Sequence, residues 1–332
     1  MKLTFFLIAF SLVFVRTYLS CTGTWHANNN NVEGNMTIIS DNYREEIRWS
    51  GIIKLNDDET GIASITPGGY VKYRLNDKKM VAESNLQGEI SYSLYNDGDR
   101  ITIDSNGQKF ISHAVEQLVA AGFDAAKRVD RIYQKGGDSA LLAETDKQKT
   151  DQLKMMYLQR VFAHDSLRDS LLPLALEKIG RFGADNEKVF MLKKITSRQL
   201  QDSTTLAAFF ETLGRMHSDG DKLKMINSLV KEGPVRVDLF DKIMETTGHL
   251  GSDRDKMDVY NKLLNREVIS EYQWLVLIGE TARLHNDFDK AHLLVQIAPK
   301  MPATDNIKQA YLAAAKTIRS DMDYGKVMRA VN

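Results

Sequence analysis

The sequence predicts an α+β protein, with a small N-terminal antiparallel β domain followed by an α-helical solenoid of 34-residue helix hairpins. Three observations carry this. Apolar and polar residues alternate between about residues 35 and 111, apolar residues fall at helical spacing beyond Ser112, and similar segments then recur every 34 residues to the end of the chain.

The first twenty residues read as a signal peptide. Lys2 gives a basic start, and residues 3–15 (LTFFLIAFSLVFV) form an apolar run of 13, the length of a signal-peptide core and too short to span a bilayer. Cys21, the single cysteine, stands in YLSC, where a bacterial lipoprotein signal places the residue that becomes the lipidated N-terminus. Tyr18 and Leu19 depart from the usual Leu and small residue, so plain cleavage near Ser20 or Cys21 is the alternative. Either way the chain is expected to be exported, to the periplasm or the outer membrane, with membrane contact only through that lipid. Residues 21–34, with NNNN at 28–31, have the composition of a tether.

An apolar fraction of 43% against 27% charged residues is that of a folded protein, so disorder is not expected. Lys plus Arg equals Asp plus Glu at 44 each, and loss of Lys2 and Arg16 with a leader leaves 42 against 44. That balance gives no reason to expect a nucleic-acid partner.

Residues 35–111 are expected to form about seven strands: MTII, EEIRWSGIIKL, GIASIT, GYVKYRL, KMVAES, EISYSLY and RITID, separated by NDDETG, TPGG, NDKK, NDGD and SNG. Pro67-Gly68 suits the centre of a type II turn. A helical connector is expected over 112–137 and the solenoid over 138–332. The register is read from Thr150, Ala184, Ser218, Ser252, Asn286 and Ser320, each 34 residues from the last, which makes about six units.

Ser218, Ser252, Asn286 and Ser320 are expected helix N-caps, with Asp221, Asp255, Asp289 and Asp323 three residues on in a capping-box arrangement. Asp219, Asp253, Asp287 and Asp321 then favour the positive end of the helix dipole. Core rows are expected at Leu206, Phe240 and Trp274 on first helices and at Leu192, Ile226, Tyr260 and Leu294 on second helices. Gly180, Gly214 and Gly248 recur at one phase, which predicts close approach of two backbones.

Arg181, Arg215, His249 and Arg283 form a column of cations at one phase, a possible partner-binding ridge for an acidic peptide. Glu177, Glu211 and Glu245 stand four residues earlier, so pairing along the helix is the structural alternative. His217 and His285 occupy the helix-end position held by Gly183 and Gly251 in other units. NDDE at Asn56 and NDGD at Asn96 lack the remaining ligands of a calcium loop and read as hairpin turns. The chain has no HExxH, GxSxG or P-loop, so no catalytic residue, metal or cofactor is assigned.

The stretch IRWSGIIKLNDDETGIASITPGGYVKYRL, then RIYQKGGDSALLAE, then helical units opening with SDxDK, resembles a bacterial envelope family. Similar regions are attached behind membrane metallopeptidases of the β-lactam-sensor and antirepressor type. The matching motifs are structural, ITPGGY a turn and QKGG a helix stop, and the zinc-binding peptidase module is absent. The resemblance therefore implies an extracytoplasmic appendage with no catalytic residue, and the period also resembles that of tetratricopeptide repeats. The expected function is a non-catalytic interaction or sensing module for a protein or peptide. An envelope hydrolase without a recognisable motif and a purely structural lipoprotein are the alternatives.

Overall fold

The computed structural model describes residues 20–28, 31–40, 42–163, 169–231 and 235–331, and within these the chain is an α+β protein of two compact units. The signal-peptide reading of residues 1–20 lies outside the described residues, Ser20 apart.

The first unit takes in residues up to Asp130 and returns for Lys147–Thr150. Its main sheet runs in the order β1 (Ser20–Asn28), β2 (Asn31–Ser40), β3 (Tyr43–Ser50), β6 (Tyr70–Leu75), β7 (Lys78–Ser84), β8 (Ile90–Asn96) and β9 (Asp99–Ile101), every neighbour antiparallel. A separate hairpin, β4 (Ile53–Leu55) with β5 (Ile62–Ile65), forms between β3 and β6 in the sequence. Helix α1 (Ser105–Ala120) shares one core with the sheet, where Ala114, Val115 and Leu118 join Ile47, Val71 and Met80.

Three expectations are corrected here. Residues 21–34 are not a tether but most of the hairpin β1–β2, paired from Ser20↔Ile39 to Asn28↔Asn31. Thr22, Thr24 and Trp25 are good strand formers inside a polar stretch, so composition alone misled. EEIRWSGIIKL is two strands, because Gly51 takes φ +89° and turns the chain out of the main sheet. The SNG taken for a turn is the first turn of α1, capped by Asp104, whose Oδ1 accepts the Gly107 N–H at 2.8 Å. Pro67-Gly68 does form the type II turn, with Gly68 at φ +77° and the Gly69 N–H donating to Thr66 O at 2.7 Å.

A charged group is buried in this unit. Glu45, 3% exposed, accepts a hydrogen bond from the Tyr43 hydroxyl at 3.0 Å, and Lys149 Nζ lies 2.6 Å from the same Oε2, off the hydrogen-bonding direction. The Lys149 N–H donates to Ala120 O at 3.0 Å, which fixes the returning segment at the end of α1. Burial, and then the Glu45 charge, pushes the Tyr73 hydroxyl well above its ordinary pKa.

The second unit is the helical repeat. Helix α2 (Ala125–Thr145) enters it and is broken at Gly137, φ +62°, at the anticipated QKGG stop. Then follow α3 (Asp151–Val161), α4 (Leu172–Gly180), α5 (Asp185–Leu192), α6 (Ser203–Gly214), α7 (Asp219–Lys231), α8 (Val237–Gly248), α9 (Asp253–Leu264), α10 (Glu271–Ala282), α11 (Asp287–Ile297), α12 (Asp305–Ala315) and α13 (Asp321–Val331). The odd-numbered helices from α3 to α13 all begin 34 residues apart, as do the even-numbered ones from α6 to α12. Even helices stack on even and odd on odd, so each hairpin hides its apolar stripes against its neighbours. Leu206, Phe240, Trp274, Leu192, Ile226, Tyr260 and Leu294 are each 4% exposed or less, as the periodicity predicts, while Met328, at the same phase of the last helix, is only half-buried.

The reciprocal half of the expected capping box does not form at these helix starts, because the Ser218, Asn286 and Ser320 N–H groups donate to Asp185, Asp253 and Asp287 of the preceding repeat. Ser218, Ser252 and Ser320 each cap with Oγ, accepting the N–H of Asp221, Asp255 and Asp323 at 3.2 to 3.4 Å, and Asn286 caps through Phe288 N–H at 2.8 Å. The aspartate at the first helical position has a larger task than answering the dipole. Asp151, Asp185, Asp219, Asp253 and Asp287 each accept the backbone N–H of the residue 32 further on, Gly183, His217, Gly251, His285 and Arg319, at 2.6 to 2.8 Å. Each carboxylate thus straps one hairpin to the next. Burial alone would raise the Asp185 carboxyl, but the Lys188 ammonium and the Ser218 and His217 N–H groups outweigh it and hold the group below its ordinary pKa.

Candidate functional site

The four cations of the column occupy one place in successive repeats. Arg181, Arg215, His249 and Arg283 are the C-cap residues of α4, α6, α8 and α10, so each sits where the helix dipole favours positive charge. Their charges are largely occupied. Arg181 pairs with Glu177 at 2.5 Å and Arg215 with Glu211 at 2.6 Å. Arg283 uses Glu280, three residues back, at 2.5 Å, because Gly279 stands at the fourth. His249 donates through Nδ1 to the Glu245 carbonyl at 2.7 Å, which leaves its other ring nitrogen outward.

Two clefts open beside this column, one on each side of α8. The first, about 440 Å³, is lined by Phe210 and Gly214 of α6, Lys222 of α7, and Lys242, Glu245 and His249 on the α8 side. The second, about 660 Å³, has Asp241, Met244, Gly248 and His249 on the α8 side, Tyr272, Val276, Glu280 and Arg283 on the α10 side, and Lys256 and Tyr260 of α9. Glu245 and His249 line both, so the two clefts adjoin across α8 in the middle repeats.

The glycine phase contributes to this groove, against the expectation of close backbone approach. A Cβ at Gly214 would meet nothing within 4 Å, and one at Gly248 would meet only Glu280 Oε2 at 3.7 Å. At these two positions the missing side chains leave room, whereas a Cβ at Gly180 would stand 3.2 Å from Arg215 Cδ, a close approach of a side chain and not of a second backbone.

The second cleft has two unlike ends. Lys256, His249 and Arg283 meet at the C-terminal end of the first helices, while at the other end the Tyr272 hydroxyl, 48% exposed as a residue, donates to Asp241 Oδ1 at 3.0 Å. Burial raises the Tyr260 hydroxyl well above its usual pKa, so this group stays protonated across physiological pH. Among the described residues no group of three His, Cys, Asp or Glu side chains converges to hold a metal ion.

Cys21 lies in β1 opposite Ile38, outside this groove, and its side chain is outside the described residues. His217 and His285 sit at the repeat junctions as strap partners of Asp185 and Asp253, and neither lines the groove. Sequence reasoning missed Asp241, Lys256, Tyr260 and Tyr272. The available signal was lysine at every fourth helical position, Lys154, Lys188, Lys222, Lys256 and Lys290, read together with which of them keeps an acid. Comparison with protein-family models, curated proteins and solved structures finds no match to this chain.

Proposed function

We propose that the chain is an exported cell-envelope protein whose helical repeats bind a segment of another protein, or a peptide, in the groove flanking α8. The pair of clefts is the observation that carries this reading: they adjoin across α8, with volumes of about 440 and 660 Å³, mixed polar and apolar walls and exposed tyrosine. Clefts of this size between helices commonly take ligands, and stacked hairpins present extended binding surfaces. Export is supported by the apolar run at residues 3–15 and by the place of Cys21 just after it, and the bacterial appendage resemblance agrees with it.

A photo-crosslinking amino acid placed at Tyr272, in the groove, and in a second protein at Phe190, exposed on α5, tests the reading in the native host. The expected result is a discrete adduct from position 272 and none from position 190. Equal adducts from both positions, or none from either, overturn it. The anchor is tested separately by labelled fatty acid, which is expected to enter the wild-type chain and not Cys21→Ser. Absence of label from both proteins refutes the lipid.

A further inference from the structure

Five successive second helices carry lysine at the same position, and four of these keep the aspartate three residues before them. Nζ–Oδ1 distances are 3.0 Å for Lys154–Asp151, 2.9 Å for Lys188–Asp185, 3.2 Å for Lys222–Asp219 and 4.0 Å for Lys290–Asp287. Lys256 is the exception. Asp253 Oδ2 accepts the His285 and Asn286 N–H groups at 2.6 and 3.2 Å, and His285 Nδ1 stands 3.1 Å from Oδ1, the oxygen that elsewhere faces lysine. His217, at the equivalent place one hairpin pair earlier, uses only its backbone on Asp185, and Lys188 keeps its acid.

Lys256 is consequently 8% exposed, lines the larger cleft, and has no ion pair or hydrogen bond with any described residue. Its stem is buried in the cleft wall while its ammonium reaches solvent in the cleft with no carboxylate of its own, so an anion entering the cleft gains a cation that no internal partner competes for. The neighbouring charges do not supply that anion, because Glu280 is paired with Arg283, Glu245 with Lys242, and Asp241 accepts the Tyr272 hydroxyl.

We infer that Lys256 is the anchor for a carboxylate of an extended peptide lying in the cleft between α8 and α10. This deepens the groove reading and rests on it. Asp241 and His249 are eight residues apart along α8, about 12 Å of helix, and an extended segment of roughly four residues covers that distance. The segment places its carboxylate beside Lys256 and Arg283, its middle against Met244 and Val276, and its far end beside Asp241 and Tyr272. The carboxylate comes from an Asp or Glu side chain or from a free C-terminus.

Two random-peptide display libraries, one with free C-termini and one with the random segment between fixed flanks, are panned against the full chain. Selected peptides are then titrated by fluorescence polarisation against wild type, K256Q and K256R. Enrichment of acidic peptides from the flanked library assigns a side-chain carboxylate, and enrichment from the free-end library alone, abolished by C-terminal amidation, assigns the terminus. In either case K256Q is expected to weaken binding by roughly tenfold or more, with K256R close to wild type. Changing the peptide acid to its amide is expected to cause the same loss without altering the protein. Peptides without an essential carboxylate, or unchanged binding to a K256Q protein of normal thermal midpoint, overturn the role of Lys256 and leave the groove reading standing. No peptide from either library overturns both.

Discussion

The Asp253 carboxylate holds His285, 32 residues further along the chain, by two contacts: the backbone N–H donates to Oδ2 at 2.6 Å and the ring Nδ1 lies 3.1 Å from Oδ1. This relationship, with variations, joins five pairs of hairpins, and it makes one short acidic side chain responsible for both a helix start and the seam to the next unit.

Removal of a strap is the first test. Asp253→Ala takes away the acceptor of the His285 and Asn286 N–H groups and is expected to cost about 2 kcal/mol, because hydrogen bonds to a charged group are the stronger kind. Asp321→Ala is the control. Asp321 has the same helix position but accepts no N–H among the described residues, so its loss is expected to stay within about 0.5 kcal/mol. Chemical denaturation of the two variants distinguishes a seam from a dipole effect.

Acidity is the second. The Asp185, Asp219 and Asp253 carboxyls are all held below their ordinary pKa: in Asp219 chiefly by the Gly251 N–H, in the other two by hydrogen bonds that outweigh burial. A depressed folded-state value means that the contribution is fully present above the unfolded carboxylate pKa of about 3.9 and is lost as pH falls through the lower folded values. The urea midpoint is therefore expected to change little from these groups between pH 7 and 5 and to drop below about pH 4. Replacing all three by alanine is expected to flatten that acid limb.

Two glycine substitutions are expected to have opposite signs. Gly214→Ala adds a methyl group that meets nothing within 4 Å in a helical residue, and is expected to raise stability by about 0.5 to 1 kcal/mol. Gly68→Ala forces a side chain onto φ +77° in the type II turn and is expected to lower it by about 1 kcal/mol. Thermal midpoints measured side by side decide both.

The buried pair in the first unit gives a fourth outcome. Lys149→Met leaves the Glu45 charge without its counterion and is expected to cost about 3 to 5 kcal/mol, whereas adding Glu45→Gln to it is expected to recover most of the loss. A double-mutant cycle on the unfolding free energy measures this coupling.

Much of the repeat was legible because its cause is local. Ser218, Ser252, Asn286 and Ser320 announce helix starts by their chemistry, and a fixed interval between them requires identical units. The straps were not legible, since their donors are backbone N–H groups that every residue but proline carries, and nothing in Gly183 or Gly251 distinguishes them. Neither glycine takes a positive φ, so His217 and His285 fit at the same place without strain. The groove was half legible. Its cation column follows from helix-end preferences, but the isolation of Lys256 depends on which way the Asp253 carboxylate faces, and that is set by a histidine 32 residues away. In the first unit, β1 was hidden by a polar composition shared by flexible linkers and exposed hairpins alike.

Because each strap reaches only the adjacent hairpin, the array has no clasp that spans its length. A chain tugged from its two ends is therefore expected to come apart like a row of press-studs, one fastener at a time, each release lengthening it by about 12 nm when 34 residues straighten.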